Sequence, residues 1–330
     1  MSLRAVGITG VGMAVPEKVL TNADLEKMVE TSDEWIVSRS GIRERHIAEP
    51  GEATSDYAVK AAQKAMAMAG VTPDDIDLII IGTVTPDHPF PSTACIVQNA
   101  LGATRAAAFD MSAACPGWLY GIVMAQQTIA TGMYNCALVI GAELLSKLLD
   151  WEDRATCVLF GDAAGAAILQ PVSEGKGILA SVLGSEGAGA CHLMLPAGGS
   201  RYPTSAETVQ NKQHFIKMNG AEVYKFAVRV MNEATTQVLD KAGLTVGDLD
   251  LLVPHQANIR IIEGAMKRLE IGPEKVMINL DRYGNTSSAS IPVALCEALE
   301  SGRLKDGDDV VLVSFGAGLV WASVALRWGK

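Results

Sequence analysis

The chain has 330 residues, 49% of them apolar and only 5% aromatic, enough to bury a sizeable core as one large α/β body or as two domains. Charged residues make up 19% and the net charge is -10, so overall charge gives no support for nonspecific binding to nucleic acid or to an anionic membrane. Any anionic ligand has to be met by a local basic patch.

The N-terminal segment MSLRAVGITGVGMAVP lacks the apolar core of a signal peptide, and the long apolar stretches are broken by charge, Gly or Pro. Six cysteines (Cys95, Cys115, Cys136, Cys157, Cys191 and Cys296) show no CxxC pair and no framework spacing. That argues for reduced thiols and against a structural zinc site, so a soluble cytoplasmic protein is expected.

Taken in order, a regular helical pattern over 55–69 ends in Gly, and a short apolar run at 78–81 reads as a strand buried on both faces. The stretch FDMSAACPGWLYGIVMAQQTIATG (109–132) reads as a strand end, a tight turn and a helix start, with Cys115 at or beside the N-cap and Pro116 at the first helical position. A thiol there sits in the field of the helix dipole, which favours thiolate and lowers a cysteine pKa from its free value of about 8.5. The residues alone leave two readings, a buried structural cysteine and an activated nucleophile.

Further strands are expected at 137–140, 251–253 and 310–313, and a second long helix over 221–242. Buried runs alternating with helices predict parallel sheets. The segments AGVTPDDIDLIII (69–81) and AGLTVGDLDLLVP (242–254) share one pattern of helix end, acidic turn and strand. The turn and helix from Cys115 to Gly132 likewise match those from Asn285 to Gly302, so the chain reads as a duplicated α/β unit dividing within 170–177. The halves are 1–172, carrying the cysteine, and 173–330.

In such folds ligands sit at the carboxyl ends of strands, and three chemically capable residues follow predicted strands. They are Cys115, His255 in Pro254-His255-Gln256-Ala257-Asn258, and Asn285 in a run of small residues, Gly284-Asn285-Thr286-Ser287-Ser288-Ala289-Ser290. His46, His88, His192 and His214 have no comparable placement, and a Gly-Asn pair by itself is usually only a turn. Phe315-Gly316-Ala317-Gly318 closes the last long strand with small residues whose N–H groups can face a cavity.

These motifs, together with Thr31-Ser32-Asp33-Glu34-Trp35-Ile36, Ala114-Cys115-Pro116-Gly117 and the terminal Phe315-Gly316-Ala317-Gly318, resemble the β-ketoacyl-acyl carrier protein synthase III family, the initiating condensing enzymes of type II fatty acid synthesis. The resemblance runs over essentially the whole length and implies an α/β thiolase fold of five layers, αβαβα, with Cys115, His255 and Asn285 as the catalytic set. By that resemblance Cys115 attacks an acyl-CoA, acetyl-CoA being the favoured primer, and the N–H groups of Cys115 and Ala317 hold the oxyanion. Malonyl-acyl carrier protein then loses CO2, His255 and Asn285 hold the enolate oxygen, and the carbanion attacks the acyl-Cys115 thioester. Chain-elongating relatives resemble Cys-His-His instead, so the asparagine points to the initiating class.

The resemblance also implies that Trp35 and Arg154 sandwich the adenine of coenzyme A, with Thr31 and Arg39 as polar contacts. Coenzyme A thioester is then a substrate and no cofactor is bound permanently. Phe90 resembles the aromatic that crosses a homodimer interface to shape the partner's acyl pocket. Arg260, Lys267 and Arg268 on one helix, and Lys225 and Arg229 on another, would dock the acidic carrier protein, although surface charges on helices are most often only solvated. Ala317 departs from the commoner glycine, keeping the N–H and adding a methyl. Rival expectations are a secondary-metabolism ketosynthase or acyltransferase with another primer or acceptor, and a silent binding subunit, which would have lost one of the three catalytic residues.

Overall fold

The computed structural model describes residues 3–330. In chain order its main elements are β1 (Val6–Ala14), α1 (Asp33–Ser40), α2 (Thr54–Ala69), β2 (Leu78–Gly82), α3 (Thr93–Leu101), β3 (Ala107–Met111), α4 (Gly117–Ala130) and β4 (Ala137–Leu144). They continue with β5 (Asp162–Pro171), β6 (Gly177–Ser185), α5 (Gly220–Ala242), β7 (Leu251–Pro254), α6 (Ile259–Leu269), α7 (Ser290–Glu300), β8 (Asp309–Gly316) and β9 (Val320–Arg327). Each expected strand and both expected long helices are present. Among the described residues no helix is long and apolar enough to cross a membrane.

The two matching segments fold alike for the same local reasons. Helix α2 stops at Gly70 and α5 at Gly243, with φ of 70° and 71°, a left-handed conformation that glycine adopts without a Cβ penalty. In the turns that follow, the Thr72 N–H donates to Asp75 and the Thr245 N–H to Asp248, both at 2.8 Å, and strands β2 and β7 start three residues beyond each aspartate.

The expected strands pair in parallel, 78–81 with 137–140 and 251–253 with 310–313, but each sheet is completed by antiparallel strands and is mixed, which corrects the expectation of wholly parallel sheets. In the five-stranded sheet, ordered β1-β5-β4-β2-β3, β2 is parallel to β3 and β4 while β5 runs antiparallel to β4 and β1. In the four-stranded sheet, ordered β7-β8-β9-β6, only β7 and β8 are parallel. Strands joined through a long crossover helix come out parallel, whereas β8 turns directly into β9 and β4 reaches β5 without a long helix, connections that permit antiparallel pairing.

Helices α4 and α7 lie between the sheets. Trp118, Ile122 and Ile129 of one and Ile291 and Leu295 of the other share a core with Ile80 and Val139 of the first sheet and Val253 and Leu312 of the second. The alanine face of α2 (Ala58, Ala61, Ala62, Ala65) covers the outside of the first sheet, and α5 with α6 cover the outside of the second. The layers are therefore αβαβα, and the chain passes from the first sheet to the second between Pro171 and Gly177.

The middle helices approach the sheets closely. A Cβ on Gly82 would sit 2.5 Å from the Gly117 carbonyl carbon, so the start of α4 is pressed against the end of β2. Each middle helix is preceded by a non-glycine residue in the left-handed region, Ala114 at φ 48° and Ser287 at φ 49°. Such conformations cost on the order of 1–3 kcal/mol and persist only where the surroundings fix them. Since α4 begins at Gly117 and α7 at Ser290, the residue structurally equivalent to Cys115 is Ser288, not Asn285 as the sequence match implied.

Candidate active site

Cys115 lies in the turn between β3 and α4, one residue before the N-cap Pro116. The end of β8 is held against this turn, where a Cβ on Gly316 would fall 2.9 Å from the Cys115 nitrogen. That contact carries Ala317 to the cysteine from the opposite half of the molecule. His255 follows β7, whereas Asn285 follows a short helical turn (Leu280–Tyr283) and not a strand, which corrects the expectation; all three side chains line one cavity of about 230 Å3 together with Phe315 and Gly316.

His255 is buried, its ring edge-on to Phe315 at 5.4 Å between centroids, with Nδ1 2.7 Å from the Ser290 hydroxyl. Burial lowers its pKa to about 3, so the imidazole is neutral. Ser290 Oγ has no other partner among the described residues, so its proton goes to Nδ1 and Nε2 is left as the N–H. Asn285 is fixed by its backbone, donating to Leu159 O at 2.8 Å, and by its side chain, whose Oδ1 accepts from the Ser287 N–H at 2.9 Å. The amide Nδ2 therefore remains as a donor. Two neutral N–H donors and a thiol on one wall are what holding a thioester enolate beside a nucleophile requires.

The thiol itself departs from expectation. Burial, with the nearby Glu143 carboxylate adding to it, pushes Cys115 up to about 12, whereas a helix start alone was expected to lower it. The thiol accepts a hydrogen bond from, or donates one to, Ser287 Oγ at 3.5 Å.

The mouth of the cavity carries Trp35, Arg39, Tyr224 and Asn258. The Arg154 guanidinium lies 4.8 Å from the Trp35 ring centroid and donates to Glu30 O at 2.9 Å. The two expected adenine-binding groups are thus brought together, but stacked on each other. Thr31 lies two residues before α1, and its buried hydroxyl has no hydrogen-bond partner among the described residues. A second cavity of about 190 Å3 opens on the other side of Cys115, lined by Val84, Leu145, Leu148, Leu195, Ile216 and Ala317 among others. Phe90 is 85% exposed and lines neither cavity.

The chain matches the models for 3-oxoacyl-[acyl-carrier-protein (ACP)] synthase III over residues 109–187 and for its C-terminal part over 239–328. It is 74% identical over 330 residues to the β-ketoacyl-[acyl-carrier-protein] synthase III of Symbiobacterium thermophilum, covering 100% of both chains. The chain belongs to the synthase III family.

Two solved structures share the architecture. The β-ketoacyl-[acyl carrier protein] synthase III of Thermus thermophilus is 50% identical, with a TM-score of 0.92 over 98% of this chain and 99% of that one. The priming β-ketosynthase of the R1128 polyketide pathway is 34% identical, with a TM-score of 0.92 over 100% and 98%. For this synthase III chain, sequence reading missed the polar support behind the three catalytic candidates: Ser290 on His255, Ser287 on both Asn285 and Cys115, and Glu143 behind Ser287. Glu143 had a signal, because it is a lone charge within the strand Ala137–Leu144, all of whose residues are buried.

Proposed function

We propose that this chain condenses an acyl-CoA primer with malonyl-acyl carrier protein, losing CO2 and forming the 3-ketoacyl-acyl carrier protein that starts fatty acid synthesis. The observation that carries this is the single cavity shared by Cys115, neutral His255 and the Nδ2 of Asn285. Cys115 takes the acyl group with release of coenzyme A, its tetrahedral oxyanion held by the N–H groups of Cys115 and Ala317. The carboxylate of the malonyl group then leaves as CO2 while Nε2–H of His255 and Nδ2–H of Asn285 hold the enolate oxygen. The carbanion attacks the acyl-Cys115 carbonyl and expels the thiolate.

Coenzyme A enters past Trp35, Arg39 and Thr31, with Arg154 lifting off Trp35 to admit the adenine; it is a substrate, and no permanent cofactor is needed. The second cavity receives the acyl chain. The halves 1–172 and 173–330 act as two copies of one unit, the nucleophile coming from the first and the enolate donors His255 and Asn285 from the second.

A homodimer is supported by β3, an unpaired sheet edge whose Ala107 and Phe109 are exposed, and by the exposed Phe90 in the loop before α3. An apolar edge strand of this kind needs covering, and a second copy covers it and places Phe90 at the partner's acyl cavity. The carrier protein docks at α6, where Arg260 lies over Tyr224 at 5.8 Å beside the cavity mouth and Lys267 and Arg268 follow on the same helix. Lys225 and Arg229 contribute less, since Lys225 pairs with Glu222 and Arg229 with Glu186 and Glu233. The reaction belongs to the cytoplasm.

Product analysis with radiolabelled acetyl-CoA and either malonyl-acyl carrier protein or malonyl-CoA tests the reading. Condensation with the carrier-protein substrate is expected, and turnover with malonyl-CoA alone would favour the secondary-metabolism alternative. Competition among acetyl-, isobutyryl- and octanoyl-CoA then ranks the primers.

A further inference from the structure

Behind the nucleophile sits a carboxylate for which the condensation chemistry has no use. Glu143, near the end of β4, is fully buried and makes no salt bridge among the described residues. Its Oε2 accepts from Thr85 Oγ1 at 2.8 Å and from the Val84 N–H at 3.1 Å, and its Oε1 faces the hydroxyls of Ser287 and Ser288, each at 3.1 Å. Ser287 Oγ is in turn 3.5 Å from the Cys115 sulfur. A continuous path of polar atoms therefore runs from Sγ through one hydroxyl to a carboxylate.

An acceptor is needed at this place. Desolvation raises the half-buried Cys115 thiol, so its attack on a thioester has to shed a proton, and the two other catalytic candidates present N–H groups, Nε2–H of His255 and Nδ2–H of Asn285, that cannot take it. Glu143 is the one titratable group other than Cys115 on this path, and its hydrogen-bond neighbours, Thr83, Val84, Thr85, Ser287 and Ser288, are neutral.

We propose that Glu143 holds the Cys115 proton during each catalytic cycle, receiving it through the Ser287 hydroxyl and returning it when the product leaves. As Sγ bonds to the thioester carbonyl carbon, its proton passes to Ser287 Oγ and the Ser287 proton passes to Oε1 of Glu143. The carbon–sulfur bond to coenzyme A then breaks, and the released thiolate takes its proton from solvent. In the second half the enolate attacks acyl-Cys115, the Cys115 thiolate is expelled, and the proton on Glu143 returns by the same path. The balance closes with Cys115 as thiol and Glu143 as carboxylate.

Both protonation states of Glu143 have a place. The one Ser288 Oγ proton can go to Oε1 at 3.1 Å while Glu143 is a carboxylate, or to Gly82 O at 2.7 Å, leaving a lone pair that accepts from Oε1 once it carries the proton. Burial has already raised the carboxyl to about 7, so either state is accessible near neutral pH. A neutral Glu143 in the acyl-enzyme also removes a negative charge from the chamber that the malonyl carboxylate must enter.

Glu143 touches no substrate atom and acts through Ser287, so the test has to separate this role from simple support. The inference rests on Cys115 being the nucleophile. Quenched single-turnover acylation with radiolabelled acetyl-CoA, across about pH 6 to pH 10, would be measured for wild type, Ser287→Ala, Glu143→Gln and Cys115→Ser. Ser287→Ala keeps the backbone N–H that orients Asn285 and removes only the relay oxygen, so it serves even if Glu143→Gln fails to fold. At pH 7 both relay variants are expected to acylate roughly 10²-fold more slowly and to recover as pH rises and the thiol ionises directly. Their condensation step, started from enzyme acylated at high pH, should stay within about threefold of wild type, because expulsion of a thiolate needs no proton. A wild-type acylation profile in Ser287→Ala, or equal loss in both half-reactions, overturns the relay while leaving the nucleophile reading intact. Labelling that persists in Cys115→Ser overturns both.

Discussion

Ser290 Oγ lies 2.7 Å from Nδ1 of His255, and both groups are buried. The serine is the first residue of α7 and the histidine follows β7, so the end of one element sets the tautomer of a residue on another. This pair fixes which nitrogen of His255 carries the proton that faces the cavity.

Removing that support should therefore affect one half-reaction. Ser290→Ala is expected to slow condensation by about five- to tenfold, the equivalent of one hydrogen bond of about 1 kcal/mol, and to leave acylation of Cys115 unchanged. His255→Ala and Asn285→Ala should each lose at least roughly 10²-fold in condensation while still taking label from acetyl-CoA. Undiminished condensation in the asparagine variant would remove it from the oxyanion role.

Two buried groups pull stability in opposite directions with pH. Burial lowers His255 from 6.5 to about 3, so the unfolded chain binds the extra proton and this contribution is lost as pH falls from 6.5 towards 3. Burial raises Glu143 from 4.5 to about 7, so the native state holds the extra proton and this contribution is lost as pH rises from 4.5 through 7. Between pH 4.5 and 6.5 the two slopes oppose each other. Glu143→Gln removes the falling one, so urea denaturation should show the variant gaining stability relative to wild type from the lower to the higher of those pH values. Parallel curves would show that the carboxyl is not raised by burial.

Reversing the charge of Arg260 tests docking. Arg260→Glu should raise KM for malonyl-acyl carrier protein by about tenfold and weaken its salt dependence, with acyl-CoA acylation unaffected. Lys225→Glu should do less, because Lys225 already pairs with Glu222 at 2.7 Å. Equal effects from both would spread the docking site over α5 and α6 alike.

At the mouth, Trp35→Ala should raise KM for acyl-CoA by between about twofold and thirtyfold, the range of one aromatic–cation stack of about 0.5–2 kcal/mol, with the condensation rate on acyl-enzyme unchanged. A structure with coenzyme A bound should show Arg154 displaced from its 4.8 Å contact with Trp35. An undisturbed Trp35–Arg154 pair in that complex would rule out the sandwich.

Much of this protein was legible in its sequence because the signals are local. Gly70 and Gly243 end their helices wherever the chain goes, the acidic turns after them are closed by residues three apart, and the apolar runs at 78–81 and 310–313 can only be buried strands. Cys115, His255 and Asn285 stood out by the small residues and turns around them. The four buried runs pair in parallel as read, but β1, β5, β6 and β9, which complete the sheets in antiparallel pairs, were not read from the sequence. The duplicated turn was misaligned because only backbone angles, not residue types, distinguish Ser287 as the counterpart of Ala114.

The sequence by itself determined the fold class and the family and singled out Cys115, His255 and Asn285 as candidates, all of which depend on residue types at short range. Tertiary structure alone decided their ionisation and their supports. Desolvation between the two sheets raises the Cys115 thiol and keeps His255 neutral, and the packing brings Glu143 of the first half to Ser287 of the second. Desolvation and contacts across the two halves arise only once distant segments close over one another, and no local pattern of residues encodes them.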